Sequence, residues 1–492
     1  MVVFLLYFYQ NTVGKLRSTN MKLKFIFIFL LFLIPSYLTA KSDLQIKSNC
    51  KYKIIDKDYD LQGDTLFLPR GCVIDFKGGS ISNGYICSDF ASISAPLQQI
   101  FSVNVRLLGN WQNERLPVEW YGALGDDKTD CSVAINAAIN NTTFRVVSLL
   151  AGHKYLITQS IKMRSSDFAF GCFDVAYSHE SSPAAYIYSN SSEPILEFPK
   201  GESIQGLNLK GLVLHKRWKY RYQGDGIHIE QSALYRSIFE GIRIYYCNNG
   251  YYQEFGDGYK GFSLNKFTNC VFGGCKNGFQ VTFPNQAQYS YWINLNSWDN
   301  CHFSYNLNCG LIINNVYSCE QNTFYNCGFE GMSKDENVWW KNDSDICGVF
   351  MKGCGYGLTT FYNCYFERNH PLNSPIKPNN LSNEKNPFCV ADVILDGALV
   401  SFDKCTFNEG ITPIILRNRN IGINIENSIF RHEYLSNSIV LFKNIEREYT
   451  KKGNYFRLMI PAIESKYVNS ITKDINCDTK ELSKEIKYLT VR

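Results

Sequence analysis

FTNCVF at 267–272, WDNCHF at 298–303, FYNCGF at 324–329 and FYNCYF at 361–366 are four copies of one six-residue pattern. Weaker copies extend it: LKGLVL at 209–214 and FEGIRI at 239–244 before them, FDKCTF at 402–407 and IENSIF at 425–430 after. The fourth positions fall 23 to 41 residues apart. Apolar residues at positions four and six alternate as in a strand, while Gly, Asn or Lys at position three marks a bend just before it. A second register runs in phase. GIHI at 226–229, GYYQ at 250–253, GFQV at 278–281, GLII at 310–313 and GVFM at 348–351 open with Gly and continue with strand-forming residues. Every repeat thus holds at least two short strands with no helical periodicity between them, which excludes βαβ units. Spacing this uneven also excludes propeller blades and helical solenoids. Strands of one period stacked without helices predict an all-β parallel solenoid, in which neighbouring coils complete one another's core.

Position four is Cys270, Cys301, Cys327, Cys364 and Cys405 in five copies, and Cys247 and Cys275 share a position five residues further on. Equivalent residues on in-register parallel strands point their Cβ atoms the same way, which serves disulfide geometry poorly. No CxxC pair occurs and no histidine accompanies the ladder at ligand spacing, which argues against metal. The ladder thiols are expected as small buried hydrophobes. Phe272, Phe303, Phe329, Phe366, Phe407 and Phe430 form a matching aromatic stack, and Asn269, Asn300, Asn326 and Asn363 are placed to bond amide to amide between coils. The other cysteines, among them Cys50, Cys72, Cys87 and Cys477, leave room for a few bridges.

A hydrophobic fraction of 45% with 19% charge excludes a disordered chain, and a net charge of +5 over 492 residues without a basic block excludes a dedicated nucleic-acid binder. MKLKFIFIFLLFLIPSYLTA at 21–40 has the charged start, short apolar run and small-residue end of a secretory signal, with Met21 the expected start of translation. The run is short for a membrane span. The expected mature protein is exported (secreted, periplasmic or at the cell surface) and not inserted in a membrane. The expected organisation is a signal region at 1–40, a strand-rich module or first coils at 41–114, the solenoid at 115–430, and a C-terminal coil and cap at 431–492.

YGALGDDKTDCSVAINAAI at 121–139, followed by VVSLLAGHKYLITQSIKM at 146–163, resembles the opening segment of the pectate-lyase-like superfamily of right-handed parallel β-helix proteins. Gly122, Ala123, Gly125, Asp126, Asp130, Ala151, Gly152, Tyr155 and Ile157 match its G-A-x-G-D-G-x-x-D-D-T and V-x-x-P-A-G-x-Y-x-I pattern; Asp127, Cys131, Leu150 and His153 depart from it. The resemblance implies a right-handed parallel β-helix with a short N-terminal capping helix, in a superfamily of lyases, hydrolases, epimerases and non-catalytic binders. The polygalacturonase-type N-T-D, D-D and G-H-G set is absent, and the pectate-lyase aspartates and basic residue find no counterpart. Thr129 or Asp130 is expected to cap a helix carrying Val133, Ala134, Ala137 and Ala138. The rival role for Asp126, Asp127 and Asp130 is to bind Ca²⁺, the one cofactor the sequence offers.

Two groups of residues stand out for chemistry. Three positions beyond the ladder lie Glu330 and Glu367 on successive coils, with Arg368, His370 and Arg431 near the same face. Paired carboxylates on adjacent strands suit acid/base attack on a glycosidic bond, and one should resist ionisation unless a cation intervenes. Trp339 and Trp340, in an insertion beside them, are placed to stack on sugar rings. The alternative group is Asp225, His228 and Glu230 in GDGIHIE, which alternation puts opposite the inward Ile227 and Ile229. Together these predict a polysaccharide lyase or glycoside hydrolase acting on uronic-acid-containing or complex glycans. The rival is a non-catalytic carbohydrate-binding, adhesin-like or tailspike-like solenoid; the sequence leaves the oligomeric state open, a trimer being an option for the tailspike-like form.

Overall fold

A computed structural model describes residues 44–174, 184–256, 258, 261–283, 291–314, 316, 318–332, 346–353, 357–369, 390–408, 413–417, 422–431, 438–443, 456–460, 462–463, 470–474 and 489–491. The proposed signal region, Trp339, Trp340, His370 and Cys477 lie outside these residues. From Arg115 onward the chain cycles through three parallel sheets, here called I, II and III. One coil runs through Lys266–Thr268 in sheet I, Val271–Gly273 in sheet II and Asn277–Thr282 in sheet III. A shorter fourth sheet joins III back to I in the coils between Ser203 and Glu320. Coils pair in register: Phe267 with Trp298, Phe272 with Phe303, Phe279 with Leu311. The protein is a parallel β-helix, its coils one strand separation apart, about 4.8 Å.

The corner between sheets I and II explains why positions one, four and six of the repeat are apolar without alternating. Position three is Gly211, Gly241, Asn269, Asn300, Asn326, Asn363, Lys404 and Asn427, and each has φ between 51° and 64°. One left-handed residue, cheapest for Gly and Asn, swings the chain from one sheet to the next. Position one therefore points inward from sheet I, position six inward from sheet II, and position four fills the corner. Both inward rows are ring stacks. Phe303 lies 4.8 Å from Phe329, which lies 5.0 Å from Phe366; in sheet I, Trp298 lies 4.3 Å from Phe324, which lies 4.6 Å from Phe361.

The corner thiols are buried and, among the described residues, every cysteine is a free thiol. They do more than fill space. Cys301 Sγ donates to the Phe267 carbonyl of the preceding coil at 3.5 Å, and Cys327 and Cys364 make the same contact with Trp298 and Phe324 at 3.4 Å. Burial pushes the Cys270, Cys301, Cys327 and Cys405 thiols well above their usual range, which makes them inert. Outside the corner, Asn300 donates to Asn269 and Asn363 to Asn326, each at 2.6 Å. A second asparagine ladder, Asn265, Asn296 and Asn322, is buried where the fourth sheet turns into sheet I. Asn296 Nδ2 donates to the Phe262 carbonyl at 2.8 Å and to Asn322 Oδ1 at 2.9 Å, while its own Oδ1 accepts from Asn265.

At the start of the solenoid the helix Ser132–Ile139 stands where a sheet III strand would be, between Asp126–Asp130 and Val146–Ser148, and packs on Ile161–Lys162. Cys131, not Thr129 or Asp130, occupies the N-cap position and makes no capping bond, its Sγ donating to the Thr129 carbonyl at 3.3 Å; Asp130, one residue earlier, accepts from the Ser132 N–H at 2.9 Å and from the Thr158 hydroxyl. Ahead of it, Tyr52–Ile55, Val73–Phe76 and the end of Tyr85–Ser94 stack in parallel, as do Thr65–Leu68, the start of Tyr85–Ser94 and Arg106–Trp111. This is a narrower solenoid of about 20 residues per coil. Its core meets the larger one through Phe101, whose ring lies 5.6 Å from Tyr121.

Replacing Asn296 by Ala strips a buried carbonyl and two neighbouring amides of their partners, and is expected to cost roughly 2–4 kcal/mol of unfolding free energy. Asn300→Gly keeps the left-handed bend and removes only an exposed amide bond, so it is expected to cost less than about 1 kcal/mol. Urea unfolding of the two variants measures the difference.

Candidate active site

Along sheet III the outward side chains form rows. Register places Lys162, Glu197, His228, Tyr252 and Gln280 in one row, and Glu230, Glu254 and Thr282 in the next. Beyond Gln280 the first row turns apolar, through Ile312 and Phe350. Ile227 and Ile229 are fully buried beneath, so His228 and Glu230 face out as alternation requires.

The sequence GDG fixes the carboxylate. Gly224 has φ 65°, and a Cβ there would lie 2.5 Å from the Ser192 and Glu193 carbonyls; a Cβ on Gly226 would meet Ile244 at 2.3 Å. Only glycines let the chain pass so close. Asp225 between them is 6% exposed. Its Oδ1 accepts from the Asn249 N–H at 3.0 Å, from Asn249 Nδ2 at 2.9 Å and from Asn248 Nδ2 at 3.3 Å. Asn249 is itself held by Asn277 Nδ2 at 2.9 Å, from the following coil. The remaining oxygen, Oδ2, stands 2.7 Å from His228 Nδ1. A carboxylate only accepts, so Nδ1 carries the proton and Nε2 is the nitrogen free to exchange one.

The His228 ring lies 5.3 Å from the Tyr252 ring at 16°. Burial works against protonation of His228, but the bond to Asp225 and the charges of Asp225, Glu230 and Glu197 outweigh it and raise the imidazole above its usual value. Tyr252 donates to Glu254 Oε2 at 2.6 Å; burial and then that carboxylate hold the phenol well above its ordinary range. Lys162 pairs with Glu197 and Lys200 with Glu230, at the rim. Below the site Lys216 is fully buried, its Nζ bonded to Ser189 Oγ at 3.1 Å and to the Ser191 and Glu193 carbonyls. Burial pushes it down to about 8, against the pull of Cys247, Asp225 and Glu193. Nothing in the sequence marks this lysine, which ends an apolar strand like any surface residue.

Glu330 and Glu367 occupy another face. They are register partners in the outward row of sheet II, continued by Asn408 and the backbone of Arg431. Each carboxylate has its own company. Glu330 Oε1 lies 4.0 Å from His302 Nδ1, in space that Gly328 leaves by lacking a Cβ. Glu367 Oε1 accepts from Asn408 Nδ2 at 3.1 Å and lies 3.8 Å from Arg368 Nε. The chain thus brings Glu330, Glu367 and Arg368 together, apart from Asp225, His228 and Glu230.

The three acids of the opening segment diverge. Asp126 accepts from the N–H groups of Lys128 and Thr129, Asp127 pairs with Arg217, and Asp130 holds Ser132 and Thr158. Among the described residues no three His, Cys, Asp or Glu side chains converge as a metal site would need.

No protein-family model and no curated protein sequence matches the chain. Solved structures with a similar course include tailspike protein 2 of Escherichia coli O157:H7 bacteriophage CAB120, at 9% identity over 73% of this chain and 46% of that one, TM-score 0.41. A mannuronan C-5 epimerase A-module of Azotobacter vinelandii matches at 13% identity over 74% of this chain and 100% of that one, TM-score 0.39. A DFA-IIIase mutant from Arthrobacter chlorophenolicus A6 matches at 9% over 77% and 90%, TM-score 0.36. The chain spans 46 to 60% of the length of the phage proteins it matches first.

The His228 proton is held by Asp225, so its contribution to stability is complete below the unfolded value near 6.5 and is lost as pH rises through the raised folded value. Asp225→Asn removes the charge and is expected to lower the His228 titration midpoint by roughly one pH unit, read from its ring protons by NMR.

Proposed function

We propose that the chain is an exported enzyme that cleaves an acidic polysaccharide by β-elimination across the outer face of sheet III. The observation that carries this reading is the outward His228, oriented by an Asp225 that three other donors hold in place, and stacked beside the hydroxyl-bearing Tyr252. In a chain of uronate residues the C5 hydrogen beside the carboxyl group is acidic enough for a well-placed base to remove. His228 Nε2 would take that proton, the C4–O glycosidic bond would break, and the Tyr252 hydroxyl, turning from Glu254 Oε2 to the substrate, would return a proton to the leaving oxygen. Proton inventory closes when His228 passes its proton to solvent and Tyr252 regains one. An imidazole whose conjugate acid is stabilised is a stronger base once deprotonated, so the same Asp225 bond that raises His228 strengthens it for the task.

The base works only unprotonated. kcat/KM is therefore expected to rise with pH through the raised His228 value, and the rising limb is expected to move to lower pH in Asp225→Asn with a rate reduced by about 10²-fold or more. Release of unsaturated uronate products from a panel of polyuronates, followed by their absorbance, measures both. His228→Gln is expected to abolish release, while Glu330→Gln and Glu367→Gln leave it within about threefold of the parent. Loss of activity in either glutamate variant, with reducing ends but no unsaturated product, would move the chemistry to sheet II and make the chain a hydrolase. A wild-type chain that binds these polymers and cleaves none would be a binding protein.

A further inference from the structure

Between the last sheet II strand residue before it and Asp225 runs a strap, Arg217-Trp218-Lys219-Tyr220-Arg221-Tyr222, in which cations and aromatics alternate. Its side chains continue that alternation in space. Arg217 pairs with Asp127 and lies over the Tyr188 ring at 4.2 Å. Tyr188 meets His215 edge-on at 5.1 Å, and His215 meets Tyr246 at 4.9 Å. Tyr246 carries Arg221 at 4.4 Å, and Arg221 also lies 5.0 Å from Trp218 and 4.6 Å from Tyr222. Burial holds His215 below its usual value, so the middle of this series is neutral and its charges sit towards the ends. At one end Arg217 is answered by Asp127. At the other, no carboxylate pairs with Arg221 among the described residues, and its Nε has no acceptor. Beside it Trp218 is 79% exposed, the most open large apolar side chain described.

The strap is also stiff. Arg217 N–H donates to the Ser189 carbonyl at 2.9 Å, Trp218–Tyr220 form a 3₁₀ turn closed by the Tyr220 N–H on Arg217, and the Tyr222 N–H reaches the Tyr246 carbonyl at 2.7 Å. Tyr222 holds φ 64° to make that contact. Lys216 anchors the near end inside the core and Asp225 the far end in its asparagine cradle. A guanidinium with no partner carboxylate, stacked among rings beside an open indole on a fixed loop, is arranged before any ligand arrives, so little ordering is lost on binding.

We propose that this strap is a subsite for an anionic sugar residue, with Trp218 taking the apolar face of the ring and Arg221 its carboxylate. The inference rests on the chain acting on or binding polysaccharide, and not on the chemistry assigned to His228. A planar guanidinium suits a carboxylate through two parallel N–H bonds, and a pyranose presents a C–H face that an exposed indole covers. Both features would be wasted on a neutral glucan, where only the stacking remains. The strap ends three residues before Asp225, whose Oδ2 bonds His228, so one short run of chain carries both groups.

Affinity electrophoresis in gels containing polygalacturonate, alginate, dextran sulfate or a neutral cellulose ether tests the site on the wild-type chain and on His228→Gln, in which the proposed turnover is removed. The expected result is retardation by the polyuronates, weakened about tenfold in Arg221→Gln and in Trp218→Ala and abolished by added salt, with little retardation in the neutral gel. Circular dichroism confirms that both variants fold. Equal retardation in the neutral polymer, or unchanged retardation in both variants, overturns the proposal. Retardation by dextran sulfate alone also overturns it, because the carboxylate is then not what Arg221 reads. If the wild-type chain cleaves nothing yet the strap variants lose binding, the catalytic reading fails and this one stands. If cleavage proceeds and KM is unaltered in the strap variants, the reverse holds.

Discussion

A single coil of this chain has two unpaired strand edges and an apolar face that nothing within the coil can cover. In-register parallel pairing answers both needs at once, because the next coil supplies the hydrogen bonds and the matching side chain in one step. Register is therefore the constraint on which everything else depends. A slip of one residue would send Phe303, Phe329 and Phe366 to the solvent and bring His302, Gly328 and Tyr365 inward. The left-handed residue at the sheet I–II corner guards against such a slip. It fixes where one strand ends and the next begins, and the thiol after it is tied to a carbonyl of the preceding coil. Buried asparagines do the same at the corner before sheet I, where an amide out of step would lose several bonds at once.

Register also builds the candidate site. Outward residues on successive strands stand about 4.8 Å apart whatever their identity, so a row is a set of addresses at which side chains can be exchanged without disturbing the core. His228 and Tyr252 meet because they share an address on neighbouring coils, and Asp225 is held by Asn249 for the same reason. Loops between strands are free of this rule. Lengthening one costs little closure entropy, which lets the stiff cationic strap coexist with coils whose strands hardly vary.

The fold was legible because its signals repeat. Bend, thiol and ring recur together in FTNCVF and its relatives, and the left-handed corner, the ring stack and the asparagine ladder appear where that pattern puts them. The ring stack of sheet I was harder to see, since the bend breaks the alternation that would have revealed it. The buried ladder of Asn265, Asn296 and Asn322 was harder still, because a polar residue beside a strand reads as surface until its partners are known. For the site, period-two alternation correctly turned His228 and Glu230 outward and made Glu330 and Glu367 neighbours. What it left out lies in the third dimension. Asn248 and Asn249 reach Asp225 from another coil, Tyr252 stacks from the next strand, and Lys216 turns inward although its chemistry says otherwise. The strap escaped notice because its cations interleave with aromatics and form no basic block.

The two acid/base groups differ in what their surroundings leave undone. Glu330 and Glu367 would repel across one strand separation, and the chain answers each locally, with His302 beside one and Asn408 and Arg368 beside the other. Glu367, held in this way, belongs to a stable stretch of surface, and a substrate would first have to displace its partners. Asp225 is the opposite case. Three donors saturate one oxygen and leave the other for His228 alone, so the imidazole is oriented without being used up. Its outer nitrogen is then the group on this face whose proton can move without breaking a bond that the coil needs. Arg221 follows the same logic at the strap, where the ring system fixes the guanidinium and no carboxylate of the described chain neutralises it. In both places the fold fixes a polar group and leaves part of its bonding capacity open, which is the arrangement the two proposals build on.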